Sequence, residues 1–171
     1  MSRFWSPLVH DLKPYVPGEQ PQGRRFVKLN TNENPYPPSP RVVAAIQQAA
    51  QEGLQLYPDP DSSDLREAIA RHLDLTPQQV FLGNGSDEVL GHAFFTFFQQ
   101  GCPLLMPDIS YSFYPVYCKL FGIDYKAVPL GEEFEINLAN YKAPNGGIIF
   151  PNPNAPTGRS IARSEIDSLL S

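Results

Sequence analysis

From residue 80 onward, short apolar runs alternate with longer segments whose apolar residues recur at helical spacing. Continuous apolar runs of this length are typical of buried strands, and they predict strands at residues 80–82, 104–106, 124–128 and 147–150. The longer segments predict helices at residues 86–99 and 112–121, and a last helix from about Arg163. This alternation is typical of an α/β fold, in which helices flank both faces of a mostly parallel sheet.

Two amphipathic helices are predicted before residue 80. The first begins at Pro40, because Ser39 can cap a helix and proline suits its first position, and Gly53 ends it. The second runs from about Ser63 to Leu73. Its predicted buried face consists of Leu65, Ile69 and Leu73. The proline-rich residues 1–35 are expected to be extended, as an arm rather than a domain.

The composition is typical of a globular protein and argues against some classes of binding partner. Hydrophobic residues make up 42% of the 171 positions and charged residues 18%, unlike the proportions of a disordered chain. The net charge of −5 and the absence of a basic stripe argue against nucleic acid as a partner. No apolar run is long enough to cross a membrane, and residues 1–20 lack the apolar core of a signal peptide. We therefore expect a cytoplasmic protein without a membrane partner.

The cysteines and histidines predict neither a disulfide framework nor a metal site. Cys102 and Cys118 suit reduced, partly buried thiols in a cytoplasmic protein. The three histidines are widely spaced, so no zinc ligand set is expected.

A proline-rich segment follows the last predicted strand. Residues 151–158 read Pro-Asn-Pro-Asn-Ala-Pro-Thr-Gly, and their three prolines and two asparagines end regular structure abruptly. Open parallel sheets bind ligands at the carboxyl ends of their strands. A rigid polar loop at such an end can hold a ligand by amide side chains, although a bare Pro-Asn-Pro would describe an ordinary turn equally well.

A second segment, Gly83-Asn84-Gly85-Ser86-Asp87-Glu88, lies between a predicted strand and a predicted helix. Glycines let the backbone turn sharply and approach a ligand, and the free amides at a helix start form an anion site. Without a Walker lysine, this cradle fits a phosphate group better than a nucleoside triphosphate. A helix capped by Ser86, with an acidic first turn that suits the dipole, explains the same residues. Asp87 and Glu88 would repel phosphate unless their carboxylates turn away.

Together these motifs resemble those of a known family. Residues 151–158 resemble the Asn-Pro-x-x-Pro-Thr-Gly loop of pyridoxal-phosphate aminotransferases of the aspartate aminotransferase fold type, and residues 83–88 resemble the phosphate-binding loop of histidinol-phosphate aminotransferases. Four further segments fit that family in order: 12–15 (Leu-Lys-Pro-Tyr), 29–35 (Leu-Asn-Thr-Asn-Glu-Asn-Pro), 56–59 (Leu-Tyr-Pro-Asp) and 107–111 (Pro-Asp-Ile-Ser-Tyr). The resemblance covers essentially the whole chain. It implies an extended arm (1–35), a helical segment of the small domain or its linker (36–75), and an incomplete cofactor-binding large domain (76–171).

The resemblance also implies a role for each matching residue. Gly85, Ser86 and Asp87 would hold the phosphate of pyridoxal 5'-phosphate, mainly by backbone amides. Tyr111 would stack on the pyridine ring. Tyr57 would reach the cofactor phosphate of a partner subunit, which implies a homodimer.

Tyr15 and Asn32 are the substrate-binding residues that the resemblance implies, with Tyr15 reaching the neighbouring subunit from the arm. Each tyrosine also has a structural explanation. Tyr111 could belong to an aromatic core patch. Tyr57 could anchor its own loop and keep its hydroxyl in solvent, and Tyr15 could serve only to pack the arm.

Two departures from the family pattern limit the resemblance. Many relatives have an asparagine immediately before Pro-Thr-Gly that binds the cofactor's ring oxygen, and this chain has Ala155 there. Asn154, one residue earlier, is the candidate for that cofactor contact. The family's Schiff-base lysine, pyridine-binding aspartate and anion-binding arginines lie downstream of this loop. We therefore expect this chain to be the amino-terminal half of a longer enzyme, to hold no catalytic residue, and to be inactive alone.

The function implied by the resemblance is transamination in histidine biosynthesis. Histidinol phosphate and 2-oxoglutarate would exchange with imidazole-acetol phosphate and glutamate, with pyridoxal 5'-phosphate as cofactor. One alternative is a related aminotransferase or decarboxylase that acts on another substrate. Another is a non-catalytic fragment that binds a phosphorylated ligand or pairs with a partner chain.

Overall fold

The computed structural model describes residues 3–12, 19, 23, 27–29 and 33–170. The chain divides into two compact units, one formed by Met1–Tyr15 with Gly83–Ser171 and the other by Val16–Leu82. Among the described residues, no helix combines the length and apolar character needed to cross a membrane.

The unit Val16–Leu82 contains two helices, α2 (Pro40–Gln51) and α3 (Ser63–Leu73). The predicted start of α2 is confirmed, because Ser39 Oγ accepts a hydrogen bond from Val42 N at 3.4 Å. The predicted buried face of α3 is wrong in part. Leu65 and Leu73 are 55% and 56% exposed, and Ala70 is the residue of this helix that is buried.

The predicted strand at residues 80–82 does not form. A turn of 3₁₀-helix at Pro77–Gln79 precedes it and ends at Val80, whose N–H donates to Pro77 O at 3.2 Å. Thr76 and Gln79 cap this turn, with Thr76 N donating to Gln79 Oε1 at 3.0 Å. A strand needs a hydrogen-bonded neighbour, and residues 80–82 pair with none of the described residues.

The second unit, Met1–Tyr15 with Gly83–Ser171, carries the sheet. Its strands β1 (Leu104–Pro107) and β2 (Tyr125–Val128) are parallel, with Leu104 paired to Tyr125 and Pro107 to Val128. Its helices are α1 (Pro7–Asp11), α4 (Gly85–Phe97), α5 (Tyr114–Phe121) and α6 (Arg163–Leu170). The α/β architecture predicted from the alternating pattern is confirmed.

The predicted strand at residues 147–150 is reduced to one parallel bridge, between Ile148 and Leu105. Leu105 N donates to Gly147 O at 2.9 Å, and Ile149 N donates to Leu105 O at 3.0 Å. The prolines from Pro151 onward stop the pairing directly afterwards. Strand β1 therefore has β2 on one edge and the Ile148 bridge on the other.

The two faces of β1 contribute to two separate cores. Leu104 and Met106 face α4 and α5, where they pack in a cluster with Phe94, Tyr114, Tyr117, Cys118 and Ile123. Leu105 points the opposite way and packs with Val128 and Tyr141, and Leu169 of α6 covers that cluster. Helices thus lie on both faces, as predicted.

Two further short helices depart from the expected pattern. Helix α1 lies inside the segment expected to be extended, and it starts with proline at its first position, where the missing N–H is no loss. A 3₁₀-helix at Leu138–Tyr141 interrupts the connection between β2 and Ile148, and Asn137 caps it by accepting from Ala139 N at 3.0 Å. Helix α5 begins two residues later than predicted and ends as predicted at Phe121, where Gly122 follows with a φ of 65°.

Candidate functional site

Three segments meet beyond the carboxyl ends of the parallel strands. They are the loop after β1 (residues 108–113), the proline-rich loop after the Ile148 bridge (residues 151–158), and the first turn of α4. Three side-chain hydrogen bonds join them: Tyr111 to Asp87, Ser110 to Asn154, and Asn154 to the Ile109 carbonyl. This edge of a parallel sheet is where ligands bind in open α/β folds.

The first turn of α4 presents unpaired backbone donors. The helix begins at Gly85, with Asn84 at the cap position making no side-chain capping bond, so Ser86 is not the cap that the sequence suggested. Among the described residues, the N–H groups of Ser86 and Asp87 have no acceptor. Such N–H groups, together with the helix dipole, form an anion-binding site.

Gly83 and Gly85 of this turn are each required for a different structural reason. At Gly83, an added Cβ would lie 2.9 Å from Val89 Cγ2, so a side chain there would collide with the start of α4. Gly85 has a φ of +81°, in the left-handed region that side chains disfavour, and no atom lies within 4 Å of the place where its Cβ would be. The turn therefore requires glycine for its backbone shape and remains open above Gly85.

Both carboxylates of the first turn are turned toward protein donors. Glu88 Oε2 accepts the backbone N–H of Asn84. Asp87 Oδ1 accepts the Tyr111 hydroxyl at 2.7 Å. The condition under which an acidic turn can still accept a phosphate group is therefore met.

Tyr111 combines the two explanations that the sequence left open. Its ring packs edge-on against Tyr114, with centroids 5.4 Å apart, at the margin of the core cluster. Its hydroxyl reaches the first turn of α4 at Asp87. The residue is thus anchored in the core and also faces the anion-binding turn.

Tyr117 is a site residue that the sequence did not reveal. This buried tyrosine of α5 donates from its hydroxyl to the backbone carbonyl of Asp87 at 2.7 Å. Burial, and secondly the charge of Asp87, raise the pKa of Tyr117. The aromatic run of residues 111–117 was visible, but a carbonyl acceptor leaves no signature in a sequence.

Asn154 links the proline-rich loop to the loop after β1. Only 1% of the residue is exposed. Its Nδ2 donates to Ile109 O at 2.9 Å and to Thr157 Oγ1 at 3.3 Å, and its Oδ1 accepts the Ser110 hydroxyl at 2.9 Å. Every polar atom of the side chain is therefore paired with protein.

Asn152 closes the same loop upon itself. Its Nδ2 donates to Ile161 O and its Oδ1 accepts Ile161 N, both at 2.9 Å. Arg159 adds a further tie, because its Nε donates to Glu133 O at 2.8 Å. Side-chain amides and a guanidinium therefore hold this loop together with two backbone bonds, Asn154 N to Arg159 O and Gly158 N to Asn154 O, both at 2.7 Å.

Asp108 fixes the carboxyl end of β1. Its N–H donates to Val128 O, while its Oδ1 accepts the N–H groups of Ile109 and Leu130 at 2.9 and 3.0 Å. Burial, and secondly the charge of Asp108, raise the pKa of Tyr141 to about 12. Asp108 thereby ties the ends of both strands together at the base of the site.

The remaining predicted residues belong to the other compact unit or lie outside the described part of the chain. Tyr57 is 100% exposed, so its ring packs against none of the described residues and does not anchor its own loop. Asp59, two residues later, holds the start of α3 by accepting Ser63 N at 2.6 Å, and it also accepts Asp61 N at 3.1 Å. These two backbone bonds lower the pKa of Asp59. Tyr15 and Asn32 lie outside the described residues.

A cleft of about 650 Å³ lies elsewhere in the same unit, between the end of α1, α5 and the start of β2. None of the predicted site residues that the structure describes lines it. We place the candidate site at the strand ends, because the unpaired donors and the converging loops are there.

The donor set fits a phosphorylated cofactor with an aromatic ring. The N–H groups of Ser86 and Asp87 and the Ser86 hydroxyl suit a phosphate, while Tyr111 offers a ring beside them. Both acidic side chains of the turn are held by other donors. The arrangement can bind and orient such a group, and the described residues place no lysine in it.

Comparison with known proteins gives one family and close relatives. The family model for class I and II aminotransferases matches residues 24–171. Histidinol-phosphate aminotransferase 1 of Pseudomonas fluorescens is 61% identical over 170 residues, and the match covers 99% of this chain and 49% of that protein. The histidinol-phosphate aminotransferase of Pseudomonas syringae pv. syringae is 59% identical over 170 residues, with the same coverage of both chains. The chain thus spans about half the length of the curated relatives it matches.

A solved structure shares the fold. The histidinol-phosphate aminotransferase of Sinorhizobium meliloti, solved in complex with pyridoxal 5'-phosphate, superposes with a TM-score of 0.78 at 23% sequence identity. The superposition covers 99% of this chain and 48% of that one.

Proposed function

Because the chain belongs to the class I and II aminotransferase family, we propose that it is part of an enzyme that transfers an amino group from histidinol phosphate to 2-oxoglutarate in histidine biosynthesis. The relatives of about 60% identity that bear the name histidinol-phosphate aminotransferase support this substrate. The observation that carries the proposal is the first turn of α4, whose unpaired N–H groups lie beside Tyr111 at the carboxyl edge of the sheet.

We propose pyridoxal 5'-phosphate as the cofactor. When bound, it supplies an electron sink for the amino-group transfer. The N–H groups of Ser86 and Asp87 and the Ser86 hydroxyl hold its phosphate, and Gly85 gives this turn its backbone shape. Tyr111 covers the ring and holds the Asp87 carboxylate away from the phosphate.

The proposed enzyme is a homodimer in the cytoplasm. The full exposure of Tyr57 supports a contact with the cofactor phosphate of the other subunit. A tyrosine ring that is fully exposed to solvent does not stabilise the fold of its own subunit. Tyr15 and Asn32 are proposed to bind the substrate. We keep the segmentation into an arm (1–35), a small-domain or linker segment (36–75) and part of the large domain (76–171) as a proposal.

The test uses purified full-length protein supplied with pyridoxal 5'-phosphate. We expect glutamate formation from 2-oxoglutarate with histidinol phosphate as donor, and growth of a histidine auxotroph that lacks this transaminase. Phenylalanine as donor and phosphothreonine as a decarboxylation substrate serve as controls. A kcat/KM for either control above that for histidinol phosphate would assign the site to a related enzyme. Failure to bind the cofactor would refute the proposal altogether.

A further inference from the structure

We propose that Asn154 is a positioning residue, which sets the place of Tyr111 by clamping the loop after β1 to the proline-rich loop. This inference rests on the proposed function, because Tyr111 matters here as the residue that covers the cofactor ring. It assigns Asn154 an indirect role in place of a direct contact with the cofactor.

Burial and hydrogen bonding make Asn154 unsuited to bind a ligand itself. With 1% of its surface exposed, the side chain does not reach the open side of the site. Both hydrogens of Nδ2 have acceptors, on Ile109 and Thr157, and Oδ1 already accepts from Ser110. A buried amide with such partners stabilises one arrangement of the segments that it joins.

The residues that Asn154 holds are the two that immediately precede Tyr111. Its donor fixes the Ile109 carbonyl and its acceptor fixes the Ser110 hydroxyl, across 45 and 44 residues of sequence. Tyr111 is then held at both ends, by Asn154 through the backbone before it and by Asp87 at its hydroxyl. Loss of the first restraint leaves the ring free to leave its position over the cofactor.

Asn152 provides a matched comparison within the same loop. It also makes two 2.9 Å side-chain bonds to backbone, but both go to Ile161, nine residues ahead in the same segment. Asn152 and Asn154 therefore both stabilise the proline-rich loop. Among the described residues, Asn154 is the one of the two that bonds to the loop carrying Tyr111.

The experiment compares three variants of the full-length protein: Asn154→Asp, Ser110→Ala and the control Asn152→Asp. Each Asp variant keeps the side-chain shape and replaces the amide donor by a carboxylate oxygen. Asn152→Asp thereby loses its bond to Ile161 O, whereas Asn154→Asp loses its bonds to Ile109 O and Thr157 Oγ1 and places a charge in a buried position. The measurements are the dissociation constant for pyridoxal 5'-phosphate, the induced circular dichroism of the bound cofactor, and the thermal midpoint of the cofactor-free protein. The midpoint separates general destabilisation from an effect on the site.

We expect Ser110→Ala to weaken cofactor binding about 2- to 10-fold, the equivalent of one hydrogen bond, and Asn154→Asp to weaken it further. Both variants should change the induced dichroism per bound cofactor, because that signal depends on how the ring is held. Asn152→Asp should lower the midpoint and leave affinity and dichroism unchanged. If Asn154→Asp does not fold, Ser110→Ala decides the matter.

Two results would overturn the inference in distinguishable ways. If the unmodified protein binds the cofactor but all three variants match it in affinity and dichroism, Asn154 has no positioning role and the proposed function stands. If the unmodified protein does not bind the cofactor, the proposed function fails and this inference fails with it.

Discussion

The hydroxyl of Tyr111 donates to Asp87 Oδ1 at 2.7 Å, which joins the loop after β1 to the first turn of α4. A carboxylate in a phosphate-binding turn would repel the phosphate. The bond reduces this repulsion because the Tyr111 hydroxyl holds the Asp87 carboxylate to one side. Glu88 is held in the same way by the N–H of Asn84. The acidic character of this turn is therefore compatible with an anion site.

Removing the Tyr111 hydroxyl should weaken cofactor binding. In Tyr111→Phe the ring remains, but the Asp87 carboxylate loses its donor and can turn toward the phosphate. We expect the dissociation constant for pyridoxal 5'-phosphate to rise by the equivalent of about 0.5–1.5 kcal/mol, measured by absorbance titration. Tyr125→Phe removes a hydroxyl from an exposed residue at the start of β2 and should leave the constant unchanged. Equal affinities for the two variants would contradict the role given to the Tyr111–Asp87 bond.

Removing the Tyr141 hydroxyl should stabilise the protein. This hydroxyl is buried and has no hydrogen-bond partner among the described residues, so Tyr141→Phe should raise the free energy of unfolding by about 1 kcal/mol at neutral pH. The raised pKa of Tyr141, about 12, predicts a pH dependence as well. Because the folded protein favours the neutral form of Tyr141, this preference adds to the free energy of unfolding in full below the ordinary pKa of 10.0. The added free energy is lost as the pH rises from 10 toward 12.

Urea unfolding of the two proteins between pH 7 and pH 12 tests both statements about Tyr141. The variant should lose less stability than the unmodified protein over the alkaline part of this range. A variant that is less stable at pH 7 would show that the hydroxyl has a partner in solution.

Tyr57 should act across the dimer. We expect Tyr57→Phe to reduce cofactor affinity by about 1.5–3 kcal/mol, the range for a hydrogen bond to a charged group. Its thermal midpoint without cofactor should stay unchanged, because the ring is fully exposed.

A mixed dimer decides which subunit's site Tyr57 serves. One subunit carries Tyr57→Phe and the other carries Ser86→Asp, which places a negative charge in the phosphate-binding turn. If Tyr57 crosses the interface, one of the two sites combines an intact turn with an intact tyrosine, and half of the sites regain normal affinity. If Tyr57 serves its own subunit, neither site is intact and affinity does not recover.

The two cysteines should differ in reactivity. Cys102 is exposed, whereas Cys118 is buried in the core between α4 and α5, and burial raises the pKa of its thiol to about 11. Since the thiolate is the reactive form, iodoacetamide at pH 8 should label Cys102 in the folded protein and Cys118 only after unfolding. Peptide mass spectrometry measures both sites. Rapid labelling of Cys118 in the folded protein would show that the core opens readily.

Local sequence signals predicted the helices well because a helix's ends depend on its own residues. Ser39 and Pro40 determine where α2 starts, and Gly122 determines where α5 ends. The strands were harder, since a strand exists only with a neighbour. Residues 104–107 have one on each edge, while residues 80–82 pair with none of the described residues.

The same distinction applies to the candidate site. The sequence predicted the sharp turn at Gly83 and Gly85 and the location of the site at the strand ends. The first follows from the backbone shape that glycine allows, and the second from the topology of a parallel sheet. The part played by Tyr117 could not be predicted, since its hydroxyl bonds to a backbone carbonyl 30 residues away. The exposure of Leu65 was also unpredictable, because periodicity identifies an apolar face without saying what covers it.

The central place of β1 has a consequence for amide hydrogen exchange. Two consecutive amides of this strand bond to opposite neighbours: Leu104 N–H to Asp124 O at 2.8 Å, and Leu105 N–H to Gly147 O at 2.9 Å. An opening of the β2 edge alone exposes the first amide to solvent, whereas detachment of the Ile148 bridge exposes the second. Adjacent residues of one buried strand therefore report separately on how long each half of the sheet stays closed.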